Sequence, residues 1–459
     1  MKDANISSEF QINFFSSEIS FLFIPEHLNK AENNDILIDN IKIKTGESFM
    51  AIFKGFHGMM PTPEKVAQVA AVPYDVVNSE EAAKFAEGNP LSFLRVSRPE
   101  IELEPGTDLY SDKVYAKAVS NFKRLIAEAP LTEDPEKNLY VYSLKMGNHT
   151  QIGIAGAASV DDYNTGIIKK HEKTRKDKED DRARHVMDLR SHTGPVFLTY
   201  RDNKKIDAAV AEIMKEPPFF AFTAADGIEH KLWKAGEKRS EYLSSLFEAE
   251  VPCFYIADGH HRAASASRSG TTCRAGNPNH TGKEDYNYFL AVAFPSDQLR
   301  ILAYNRVVKD LNGFSKEDFL KKISEKFHVA KTTDQTPSKV SEICMYLDGE
   351  WYKLNPNFDL SGLDVISRLD VSILQDNLLA PILGIDDPRT SKRIDFVGGI
   401  RGTKELIKLV DSGKAAVAFS MYPTTLDQLM DIADAGRIMP PKSTWFEPKL
   451  RDGLVVHNF

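Results

Sequence analysis

Residues 254–264 read Phe254-Tyr255-Ile256-Ala257-Asp258-Gly259-His260-His261-Arg262-Ala263-Ala264. Four apolar residues predict a short buried strand, a single glycine permits a tight turn, and a helix of small residues follows from Ala263 to Arg268. A strand feeding directly into a helix is the local signature of an α/β protein. The first N–H groups of such a helix lack intrahelical partners, and its dipole leaves partial positive charge there. Such an end suits phosphate or carboxylate. His260, His261 and Arg262 add donors, and a guanidinium can clamp two anionic oxygens at once. Asp258 suits other work: fixing a histidine tautomer, ligating a divalent cation, accepting a proton, or capping the helix. The competing reading of the two histidines is a pair of polar side chains on an exposed loop.

Outward from this turn, strands and helices alternate. Asn287 to Phe294 and Val196 to Tyr200 read as strands, and Leu139–Met146 with Thr150–Val160 as a hairpin about Gly147-Asn148. Tyr110 to Glu128, Lys204 to Met214 and Glu80 to Gly88 read as helices. Ala71 to Val77 is extended but broken by Pro73, which places it at a sheet edge or beside a site. Lys331 to Lys339, polar and containing Pro337, reads as a linker. Beyond it Met345 to Leu354 predicts a hairpin with an Asp-Gly turn, and Ile394 to Ala435 reads strand-helix-strand-helix. The expectation is a mixed α+β chain in three parts: an extension over 1–49, an anion-binding and catalytic region over 50–330, and a C-terminal α/β region over 340–459. Met50 is a candidate start, since it opens an apolar stretch after an Asn- and Phe-rich segment.

The 459 residues are too many for one ordinary core. A net charge of -8 gives no overall attraction to nucleic acid. No stretch reaches the ~18 uninterrupted apolar residues of a membrane helix. Three widely spaced cysteines, without a Cys-x-x-Cys pair, point to a reducing compartment and a cytoplasmic protein.

A second feature is the charged run His171 to His185. Positions 171, 175, 178, 182 and 185 are His, Arg, Lys, Arg and His, stepping by four and three, the spacing of one helical face. Stacked like charges gain nothing in isolation, whereas an anionic ligand would make them favourable. The competing reading is a solvated face with i,i+4 pairs such as Lys176–Asp180. Glu172 beside His171 is a candidate base.

Ile256–Ala264, the run His171–Arg182, Pro381–Arg389 and Met439–Lys449 together resemble the family known as domain of unknown function 1015, from Met50 nearly to the C-terminus. More distantly, the Gly259–Arg262 turn is similar to the phosphate-holding turn of the ParB, sulfiredoxin and free-serine-kinase superfamily. That resemblance implies a ParB/serine-kinase-like nucleotide-binding core and phosphates on the amides of Gly259 to Arg262.

These readings lead to a phosphotransferase on a small metabolite, with nucleotide-dependent phosphorylation of free serine as the resemblance implies. Asp258 or Glu172 is the expected base, with Asp258 also a candidate metal ligand. His260, His261, Arg262 and Gly259 form one phosphate clamp; His171, Arg175, Lys178 and Arg182 form a second. Mg²⁺ with ATP or ADP is the expected cofactor set, a phosphorylated metabolite or nucleotide the expected partner, and a homodimer a further expectation. The alternatives are a phosphoserine phosphatase-like hydrolase, for which no Asp-x-Asp-x-Thr motif is found, and a non-enzymatic nucleotide-binding regulator.

Overall fold

The computed structural model describes residues 50–459, so the reading of 1–49 as an extension lies outside the described residues. Aliphatic and aromatic runs form a central mixed sheet. Its strands are β1 (Phe53–Lys54), β2 (Tyr140–Met146), β3 (His149–Ser159), β4 (Ile168–Lys169), β5 (Val196–Tyr200), β6 (Phe220–Thr223), β7 (Glu229–Lys234), β8 (Phe254–Asp258) and β9 (Tyr288–Pro295). Across the sheet the order is β4-β8-β5-β9-β3-β2-β7-β6, with β1 added on β3. The β2–β3 hairpin turns at Gly147-Asn148 as expected, with Met146 opposite His149. β8 runs parallel to β4 and antiparallel to β5. Phe254, Tyr255, Ile256 and Ala257 are all buried, which is why this strand reads as an unbroken apolar run.

A second, antiparallel sheet contains β10 (Tyr304–Val308), β11 (Phe327–Thr332), β12 (Ile343–Leu347), β13 (Glu350–Pro356), β14 (Ile394–Gly398) and β15 (Val417–Ser420), ordered β11-β13-β12-β15-β10-β14. The β12–β13 hairpin closes through Asp348 and Gly349, both at positive φ, as its Asp-Gly turn requires. The expected linker proves different. Lys331 and Thr332 belong to β11, and residues 333–342 only connect that strand to β12 within one sheet. The second sheet therefore starts at Tyr304 rather than near residue 340. One apolar cluster, including Tyr140, Phe197 and Phe294 from the first sheet and Phe319, Met345 and Phe419 around the second, joins the two. Burial of that size outweighs a polar connection in deciding where a body ends.

Two helices place the candidate site. α1 (Lys176–Leu189) packs along α2 (His260–Gly276). The small residues of α2 allow this: Ser265 Oγ donates to the Glu179 carbonyl at 3.3 Å and Ser269 Oγ to that of Ala183 at 3.5 Å. On another side of α2, a Cβ at Gly270 would stand 2.7 Å from the Tyr286 carbonyl oxygen, so a side chain at that position would crowd the chain around Tyr286 and Val160.

The charged run is not one helix. Residues 170–175 cross from β4 to α1 as irregular chain, and Arg175 is the extended residue before the helix, with φ -97° and ψ 131°. His171 and Arg175 therefore do not share a helical face with Lys178, Arg182 and His185. The period of four and three arose where hydrogen bonds to α2, described below, hold the chain open.

The chain beyond residue 445 returns to the first half. Trp445–Phe446 pairs with Ile301–Leu302, and Val456–Asn458 lies between Gly58–Met60 and Ser191–His192 in a small sheet. Among the described residues no helix is long and apolar enough to cross a membrane.

Candidate anion-binding site

The turn from β8 into α2 depends on Gly259, whose φ of 92° lies in the left-handed region. No side chain caps α2. Asp258 Oδ1 accepts the N–H of Gly259 at 2.9 Å, which leaves the amides of His260, His261 and Arg262 at the open end of a 17-residue helix. This end floors a cavity of about 510 Å³.

Three stretches of chain wall the cavity. One is the turn Tyr74 to Val77, so Ala71–Val77 does run beside the site. The second brings His171, Glu172, Arg175 and Lys178. The third is the segment Met439 to Lys449, with Tyr304 behind it. The lining holds five cations, Arg98, Arg175, Lys178, Lys442 and Lys449, against three carboxylates, Asp75, Glu172 and Asp258. In a chain of net charge -8 this is a local reversal of sign.

Both histidines of the turn hold the wall in place. His261 Nε2 accepts the N–H of Arg175 at 3.0 Å, and His260 Nε2 accepts that of His171 at 3.5 Å. Each ring is thus a neutral tautomer with its proton on Nδ1. Burial, with His171 alongside, holds His260 well below the usual imidazole range, and burial also lowers His261. His260 Nδ1 points to Glu172 Oε2 at 3.6 Å. Partial desolvation at the cavity wall, reinforced by Asp258, raises the Glu172 carboxyl above its ordinary value, although the side chain is half exposed. His171 packs edge-on to His260 at 4.5 Å, and burial lowers it to about 4. It brings no positive charge at neutral pH, contrary to its place in a cationic stripe. His185 is likewise buried and neutral.

Asp258 is committed to a cation. Its Oδ2 lies 2.9 Å from Lys449 Nζ, and Arg262 stands 3.8 Å from Oδ1. Burial alone would raise this carboxyl, but Lys449 and Arg262 override it and hold it far below the usual range. So paired, it is a poor proton acceptor and offers little to a metal. Among the described residues no group of three or more His, Cys, Asp or Glu side chains is arranged to hold a metal ion.

Arg262 and Arg182 do not line this cavity. The guanidinium of Arg262 turns beneath α2, bonds the Pro195 carbonyl, and lies 3.4 Å from Asp75. Arg182 pairs with Asp181 at 2.8 Å and stacks 4.3 Å from the Tyr74 ring centroid. Both face a smaller buried space with His185 and Asp452. The structure thus brings together Asp258, Gly259, His260, His261, His171, Glu172, Arg175 and Lys178, and leaves out the two arginines. Sequence reasoning placed the stretch that carries Asp75 beside a site without giving Asp75 a role, and it did not single out Lys449. The available signal for Lys449 was Met439–Lys449, which served only as one of the segments that carry the family resemblance.

Residues 53–372 match the family described as "Protein of unknown function (DUF1015)". The chain belongs to this family. No curated protein matches it. Among solved structures it is similar to a free serine kinase in complex with AMP, at 12% identity over 64% of this chain and 86% of that one, with a TM-score of 0.32. It is also similar to SbnI with a C-terminal truncation from Staphylococcus aureus, at 11% identity over 65% of this chain and 85% of that one, with a TM-score of 0.35. A conserved hypothetical protein from Pyrococcus furiosus aligns at 12% identity over 65% of this chain and 93% of that one, with a TM-score of 0.32.

Proposed function

We propose that the chain is a phosphotransferase that moves a phosphoryl group between a nucleotide and the hydroxyl of a small metabolite. One observation carries this reading: an uncapped helix end floors a cavity whose lining is net cationic within an acidic protein. Phosphoryl transfer demands positioning and neutralisation of charge, and amides, lysines and arginines supply both. The phosphates lie against the amides of His260 and His261, flanked by Arg175, Lys178 and Lys442.

In the forward direction the acceptor oxygen bonds to the terminal phosphorus as the donor's bridging P–O bond breaks, and the hydroxyl proton passes to Glu172. Glu172 suits this role because its setting at the cavity wall, with Asp258 nearby, raises its basicity and His260 Nδ1 stands 3.6 Å away to orient it. Asp258 does not, because Lys449 occupies it. With Glu172 kept as the base, the oxygen ligand the cavity would offer to a nucleotide-borne Mg²⁺ is Asp75; when bound, the ion would neutralise phosphate charge. Free serine as the acceptor rests on the resemblance of the Asp258–Arg262 turn alone.

The test is incubation of the pure full chain with serine and ATP or ADP, and with phosphoserine with and without ADP. Nucleotide-dependent formation of phosphoserine is expected. Phosphate release that ignores nucleotide would instead identify a hydrolase, and tight nucleotide binding without turnover a regulator.

A further inference from the structure

Lys449 and Asp258 are 191 residues apart in sequence, yet their side chains meet at 2.9 Å. The lysine side chain is only 14% exposed and lines the main cavity. An ammonium carries three donors. Asp258 takes one, and among the described residues no other acceptor bonds Nζ. A buried ammonium with two unspent donors costs free energy until something accepts from it.

The surrounding chain is shaped to hold the group there. Glu447 accepts Trp445 Nε1 at 2.8 Å and the Lys449 N–H at 3.2 Å, and the Trp445 ring centroid lies 5.0 Å from Nζ. Asp258 divides its two oxygens, Oδ1 to the Gly259 N–H and Oδ2 to the lysine. It ties the ammonium to the open end of α2.

We propose that Lys449 is the side chain that contacts the ligand's phosphate, donating its two remaining N–H groups beside the amides of His260 and His261, with Asp258 as its positioning residue. This rests on the anion-handling reading above and names which of the five cations reads the phosphate. It needs no turnover, so it stands or falls apart from the kinase assignment.

The test is calorimetric titration of the full chain with inorganic phosphate. Lys449→Met is expected to weaken binding about ten- to a hundredfold, the worth of charge-assisted hydrogen bonds. Lys449→Arg keeps donors and charge and should stay within about tenfold of wild type. Asp258→Asn retains an oxygen for Lys449 but removes a negative charge, and should tighten phosphate about threefold or more. The double variant Asp258→Asn/Lys449→Met decides against a purely structural pair. If Lys449 only neutralises Asp258, removing both charges restores binding to the wild-type level, and that result overturns the proposal. If Lys449 touches phosphate, the double variant recovers only about the threefold that Asp258→Asn gives by removing a negative charge and stays clearly weaker than wild type. A wild-type chain that binds no phosphate overturns it as well.

Discussion

Replacing Arg262 by methionine separates support of the fold from contact with ligand. The guanidinium is 8% exposed and lies 3.4 Å from Asp75 and 3.8 Å from Asp258. Asp452, buried beside it, is raised to about 7 by burial, with Arg262 opposing the shift. Methionine fills similar space but leaves Asp75 and the Pro195 carbonyl without their donor, and Asp258 and Asp452 without the positive charge beside them. Removing one partner of a buried ion pair costs about 3–5 kcal/mol. With ~2.1 cal/mol/K of unfolding entropy per residue, a body of this size has about 0.9 kcal/mol/K, so Tm should fall by roughly 3–6 °C. Scanning calorimetry reads the shift directly. Phosphate affinity, titrated well below the transition, should change by less than about tenfold, because the side chain lies beneath α2 rather than in the cavity. An unchanged Tm together with a larger loss of phosphate affinity would refute the placement of Arg262 as an internal support.

Gly259→Ala should destabilise by about 2–4 kcal/mol in urea titrations, combining left-handed strain with a crowded Cβ. The added Cβ would sit 2.9 Å from Cζ of the locked Arg262; a change below about 0.5 kcal/mol would contradict the turn geometry. Glu172→Gln should lower kcat about 10²–10⁴-fold with little effect on KM, and wild-type activity should rise with pH as Glu172 ionises above the ordinary glutamate range. Activity retained in the variant would remove Glu172 as the base. Acid should weaken the fold through its buried neutral histidines: His171 is lowered to about 4, and His192 and His230 to about 3, each chiefly by burial. Their unfolded values lie near 6.5, so the unfolded state binds more protons and stability falls as pH drops from there. By pH 4 His171 alone accounts for about 3 kcal/mol. A urea midpoint that stays flat between about pH 6.5 and 4.5 would show these rings are not held neutral.

The sequence made the strand-turn-helix legible because it is local. Apolar Phe254–Ala257, one glycine and a run of small residues each specify their conformation without reference to distant chain. The His171–His185 run misled for the opposite reason. Its spacing suits a helix, but the amides of His171 and Arg175 are taken by His260 and His261, some 90 residues away, and a hydrogen bond across such a distance leaves no period in the sequence. Arg262 shows the same limit. A guanidinium after a helix start suits phosphate by type, and only the positions of Asp75 and Asp452 turn it inward. Lys449 was hidden because its importance lies in a partner 191 residues earlier.

The strand Val456–Asn458 closes a sheet against Gly58–Met60, and the cavity wall at Met439–Lys449 comes just before it. A ribosome must add roughly 400 residues between these partners, about 20–80 s of synthesis. During that interval the early strand presents an unpaired edge, an invitation to aggregation. A nascent chain stalled before residue 439 would have the floor of the cavity but lack one wall. A premature stop in the final thirty or so codons should therefore yield a chaperone client rather than a weakened protein.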